Sequence, residues 1–108
     1  GSTIKLNRKV DPKVTVVDED TYTIKETDSF IEVDYSATGA CTITWATKLM
    51  VDGFDCLIKD TGYNAGQNNI TLVGEGGETI DGDASWIING DGDWIWAYSD
   101  GTNLRIRS

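Results

Sequence analysis

Hydrophobic and polar positions along this chain alternate over very short distances, and the apolar runs are cut apart by turns rich in glycine and acid. In the second half the runs are Asn68-Asn69-Ile70-Thr71-Leu72-Val73, Glu78-Thr79-Ile80, Ser85-Trp86-Ile87-Ile88, Trp94-Ile95-Trp96-Ala97-Tyr98 and Leu104-Arg105-Ile106. Between them lie Gly74-Glu75-Gly76-Gly77, Asp81-Gly82-Asp83, Asn89-Gly90-Asp91-Gly92-Asp93 and Asp100-Gly101-Thr102-Asn103. Period-two runs of four to six residues rich in β-branched and aromatic side chains predict strands, and Gly, Asn and Asp predict tight reversals between them. The first half repeats the pattern with fewer breaks. Strands are predicted within Ile4–Val10, Lys13–Val17, Thr21–Lys25, Phe30–Asp34, Cys41–Trp45 and Phe54–Lys59, with Pro12 interrupting the first pair. Only Ala46–Val51 has helical character, and it is too short to stand as a helix.

The expected fold is all-β: a short-stranded antiparallel β-sandwich or a β-prism-like domain, completed by self-association. Eleven or so short strands would leave many unpaired edges, which a domain closes by curling up or by packing against copies of itself. At 108 residues the chain has the size of one domain. Gly1-Ser2 reads as a scar of tag removal, residues 3–108 as a single β-domain, and residues 3–20 as a candidate N-terminal connection to a longer chain.

Charge and composition narrow the function classes. Nine basic against eighteen acidic residues give a net charge of −9, which repels phosphate backbones and anionic membranes. Neither nucleic acid nor membrane insertion is expected, and no apolar run approaches the length of a membrane span. The chain has no histidine, so the commonest general base and the Ser-His and Cys-His pairs are absent. No enzymatic activity, cofactor or metal is therefore expected. Cys41 and Cys56 lie beside apolar strand residues; they read as buried free thiols, with a disulfide as the alternative.

A series of short motifs runs in order along the chain: Ala40-Cys41-Thr42-Ile43-Thr44, Ile58-Lys59-Asp60, Asn64-Ala65-Gly66 with Asn68-Asn69-Ile70-Thr71, Thr79-Ile80-Asp81-Gly82, and Tyr98-Ser99-Asp100-Gly101-Thr102-Asn103. In their order and spacing these resemble a small C-terminal-type β-domain of bacteriophage tail fibres, tailspikes and related virion appendages. The resemblance covers about Thr21 to Ile106. It implies a virion structural protein, trimeric, assembled in the host cytoplasm, that caps or attaches a fibre or contacts the host. Its implied partners are copies of itself, other virion proteins, and a host-surface glycan or protein. Two departures stand out. Trp45-Ala46 replaces the aliphatic residue and proline common after Thr-Ile-Thr, and Leu104 stands where tryptophan commonly follows Asp-Gly-Thr-Asn.

Three constellations carry candidate chemistry. Trp94, Trp96 and Tyr98 share one face if their run is a strand, and with Asp91 and Asp93 nearby they form a candidate ligand-binding set: rings for sugar C–H faces, carboxylates for hydroxyls. The competing reading is a core or intersubunit face. On the glycan reading, the chain is a carbohydrate-binding module of a secreted bacterial protein. The spacing Asn89-x-Asp91-x-Asp93 suits a calcium loop, but Trp94 sits where such a loop needs glycine, so a solvated acidic turn is the competing reading. The acids could also supply a glycosidase pair, though nothing in the sequence selects one.

Overall fold

The computed structural model describes residues 12–35 and 39–107; the strand expected within Ile4–Val10 lies outside them. Among the described residues nine strands form two sheets. They are β1 (Val14–Val17), β2 (Thr21–Thr23), β3 (Phe30–Val33), β4 (Cys41–Trp45), β5 (Asp55–Asp60), β6 (Ile70–Gly74), β7 (Ser85–Ile88), β8 (Trp94–Ser99) and β9 (Leu104–Arg107). The five-stranded sheet has the order β1-β3-β5-β8-β9 and the four-stranded sheet β2-β4-β6-β7.

The expectation of antiparallel pairing needs correction, because β1-β3-β5 pair in parallel, as do β2-β4-β6. Successive strands alternate between the sheets, so the chain winds as a coil of three turns and each turn adds one strand to each sheet. Only the last three strands run antiparallel: β7 against β6, β8 against β5, and β9 against β8. The coil followed by an antiparallel end accounts for the short strands, since each needs only to cross one sheet before a corner.

Inward side chains from both sheets form one cluster. It includes Ile31, Val33, Cys56, Ile58, Ile95 and Ala97 from the larger sheet and Cys41, Ile43, Trp45, Ile70, Leu72 and Ile88 from the smaller. A single chain thus supplies a contiguous apolar core without help from a copy. Trp45, one of the departures from the phage-like pattern, is completely buried in it. Its indole N–H donates to the Leu49 carbonyl at 2.9 Å, and its ring meets Phe54 edge-on at 5.6 Å. The carbonyl comes from a 3-10 turn over Thr47–Leu49, which is all that remains of the helical character of Ala46–Val51. Cys41 and Cys56 are both buried; the Cys56 thiol donates to the Asp28 carbonyl at 3.4 Å, and burial, aided by the charge of Asp20, pushes the Cys41 thiol up to about 11.

Two buried aspartates fasten the coil's corners. Asp28, between β2 and β3, accepts from the Thr15 hydroxyl at 2.6 Å, the Tyr22 hydroxyl at 2.7 Å and the Lys25 N–H at 2.8 Å. Burial, together with this bond and the aspartate's charge, raises the Tyr22 phenol well above the ordinary tyrosine range. At the end of β5, Oδ2 of Asp60 accepts the N–H groups of Asn64 and Ala65 at 2.9 Å and that of Gly92 at 3.0 Å. Carboxylates can be buried here because each meets several donors.

The expected strand at Glu78–Ile80 shrinks to single bridges, Ile80 to Asp83 and to Leu104. Asp81 and Gly82 both take positive φ, 49° and 87°, and turn the chain at once. The hairpin expected around Asp100-Gly101 forms as β8 and β9. Strand β1 (Val14–Val17), which falls within the stretch 3–20 read as a connection, pairs with β3 in the larger sheet.

The outer surfaces of the two sheets differ. In the smaller sheet Thr21, Thr42, Thr71 and Ile87 lie abreast, with Thr23, Thr44, Val73 and Ser85 in the next row. No charged side chain occurs among these eight positions.

Candidate functional site

The larger sheet presents the candidate surface. Period-two alternation turns Ile95, Ala97 and Ser99 of β8 inward and leaves Trp94, Trp96 and Tyr98 outward. The three predicted aromatics are therefore on one face, and that face is outside the core. Trp94 is 46% exposed and Trp96 40%. The core alternative for these residues is thereby overturned, because the opposite face of β8 is the one with small and aliphatic residues that pack on the facing sheet.

Register extends the face across the sheet. Val14 lies opposite Phe30, Phe30 opposite Leu57, Leu57 opposite Trp96, and Trp96 opposite Arg107. A second row runs Val16, Glu32, Lys59, Trp94. Asp55, Tyr98 and Arg105 form a third. Val14, Val16 and Phe30 are 53%, 59% and 43% exposed, so the half of the face made by β1 and β3 is an open apolar patch. The half made by β8 and β9 is aromatic and cationic.

Local bonds set the orientation of these side chains. The Trp96 indole N–H donates to Oδ2 of Asp55 at 2.9 Å, and the Arg107 guanidinium lies 5.8 Å from the Trp96 ring centroid. Lys59 Nζ donates to the Gly92 carbonyl at 2.7 Å and lies 5.7 Å from the Tyr63 ring centroid. Arg105 pairs with Asp100 at 3.1 Å. The Thr102 and Asn103 N–H groups also bind Asp100, and hydrogen bonds from Asn103 and Thr102, then Arg105, hold its carboxyl below the usual aspartate range.

The acids named from the sequence, Asp91 and Asp93, lie exposed in the turn that leads into β8. Asp91 Oδ1 accepts the Gly66 N–H at 2.8 Å, and the Asp93 carboxylate folds over Gly90 so closely that a Cβ there would collide with it. Both serve the turn between β7 and β8. Of the suggested calcium loop, Asp91 fastens backbone, and no metal-binding group of three or more His, Cys, Asp or Glu occurs among the described residues. Asp55, Lys59, Arg105 and Arg107 were missed because their neighbours lie across strands. Only sheet order could have found them.

The geometry defines a β-coil fold whose larger sheet turns a partly apolar, partly aromatic and cationic face outward. No family model matches the chain, and no curated protein matches it.

Proposed function

We propose that this chain is a non-enzymatic module of a bacteriophage virion, from a tail fibre or a similar appendage, that works through surface contact in assembly and host attachment. The observation that carries the reading is the row Val14, Phe30, Leu57, Trp96, set abreast by register on the outer face of the larger sheet. Monomeric proteins rarely leave contiguous apolar patches in water, and such patches mark contact sites. The motif order along the chain supplies the virion assignment, and the two halves of the face suggest a division of labour. The half on β1 and β3, apolar but for Glu32, packs like chains together as a homotrimer, and the aromatic half on β8 and β9 stays available to an external ligand.

Sedimentation equilibrium on the wild type and on Phe30→Asp tests the assembly arm. The expected result is a trimeric mass for the wild type and a monomer with unchanged circular dichroism for the variant. A wild type that stays monomeric at every concentration, or a variant that keeps the trimer, overturns it.

A second reading, a carbohydrate-binding module of a secreted bacterial protein, draws on one observation: Asp55 fixes the Trp96 indole beside Trp94 and Tyr98 on the outward face. A monomer whose tryptophan fluorescence responds to glycan would favour it.

A further inference from the structure

Each of the three outward aromatics of β8 has a cation directly opposite it on a neighbouring strand: Trp94 faces Lys59, Trp96 faces Arg107, and Tyr98 faces Arg105. Among the described residues there are six basic side chains, the other three being Lys13, Lys25 and Lys48, so half of them stand at these pairs. The twelve outward positions of the larger sheet carry Lys59, Arg105 and Arg107 against Glu32 and Asp55, one net positive charge on a chain of net charge −9.

Resting on the attachment arm of the proposed function, we infer that the β8–β9 half of this face binds an acidic polysaccharide, one whose sugar rings carry carboxylates. Aromatic rings offer planar apolar faces to sugar C–H groups, and the guanidinium of arginine offers paired N–H donors that match a carboxylate. Trp96 is held for that task by Asp55, and Arg107 lies over the same ring, so one sugar could stack and have its carboxylate met at one place. Lys59 spends one N–H on Gly92 and has two more to donate.

The acids nearby set the direction of the site. Glu32 lies opposite Lys59 and partly neutralises it, while Asp100 does the same for Arg105. Asp55 is turned to the indole N–H. Arg107 is therefore the main anion contact. The charge also discriminates among polyanions. Duplex nucleic acid presents about one charge per 1.7 Å, which the field of an acidic chain opposes strongly. A glycan with one carboxylate every sugar or two is a sparser line of charge, and beyond about 8 Å physiological salt screens the rest of the protein from it.

Affinity electrophoresis tests the inference, with the intact chain run through gels holding polygalacturonate or alginate, and through gels holding carboxyl-reduced polygalacturonate or dextran. The expected result is retardation by the carboxylated polymers alone, weakened by salt and reduced at least about ten-fold in Arg107→Gln, a loss suited to one charge-assisted contact. Arg107→Gln lies on an exposed edge position, and circular dichroism checks that it folds. Equal retardation by acidic and neutral polymers would overturn the acidic class and leave glycan attachment standing. Retardation by neither would overturn both, and the sedimentation result would still decide the assembly arm separately. Retardation by acidic polymer that persists undiminished in Arg107→Gln and in Trp96→Ala would also overturn the inference, because the contact would then lie elsewhere.

Discussion

Replacing Asp60 with alanine removes the single acceptor shared by two loops. Its Oδ2 receives N–H groups from Asn64 and Ala65, after β5, and from Gly92, just before β8. Ala65 is 1% exposed, so its N–H has no ready route to water and its loss of partner costs about 2 kcal/mol. Asn64 and Gly92 are half-buried and can recruit water as the site opens, at about 1 kcal/mol each. The expected loss is thus about 4 kcal/mol, a large share of the 5–15 kcal/mol typical of a small domain. With a urea m-value of about 1.5 kcal/mol/M, the midpoint should fall by about 2.5 M at unchanged m. Tryptophan fluorescence follows the transition, and amide exchange at Ala65 and Gly92 should quicken more than exchange in β4. Asp60→Asn keeps one oxygen in place and should lose about half as much. A midpoint shift in Asp60→Ala below about 0.5 M would refute the claim that this carboxylate holds the loops.

Two further outcomes follow from other parts of the fold. Trp45→Ala should cost about 3–5 kcal/mol in urea unfolding, as large core truncations do, and Trp45→Phe less, since it keeps a ring against Phe54 but strands the Leu49 carbonyl. Asp100 has a depressed folded-state pKa, caused first by the Asn103 and Thr102 N–H groups, so its contribution to the β8–β9 turn is present above the ordinary aspartate value and fades as pH falls through the lower folded value. Carboxyl NMR titration should place Asp100 below the ordinary aspartate value, and a midpoint at or above that value would count against the turn geometry.

Much of the strand pattern was legible in the chain itself. The turns at Asp18–Asp20, Gly74–Gly77 and Asp100–Asn103 fall where expected, and alternation alone set Trp94, Trp96 and Tyr98 on one face. Strand direction was not legible, because a short strand that ends in an acidic turn looks the same whether it folds back on its neighbour or crosses to a second sheet. One clue was present and unused. Thr21-Tyr22-Thr23 and Thr42-Ile43-Thr44 share a pattern, and the structure stacks them in register. The same gap hid the cations of the candidate face. Lys59 is separated from Trp94 by the loops that follow β5 and by β6 and β7, and only the β5–β8 pairing brings them together. Asp91 shows the same gap from the other side: it is near the aromatics in sequence, yet its carboxylate meets the backbone of Gly66, which is distant in sequence and brought close only by the fold.

Because every winding contributes one ribbon to each layer, the molecule grows by a modular step. A further winding would broaden the outer face of the larger sheet by roughly 4.8 Å, the spacing between neighbouring ribbons, on the side made by β1, β3 and β5. The reach of such a strip along an extended ligand is accordingly a quantity that duplication or deletion of a segment can tune without redesigning the interior.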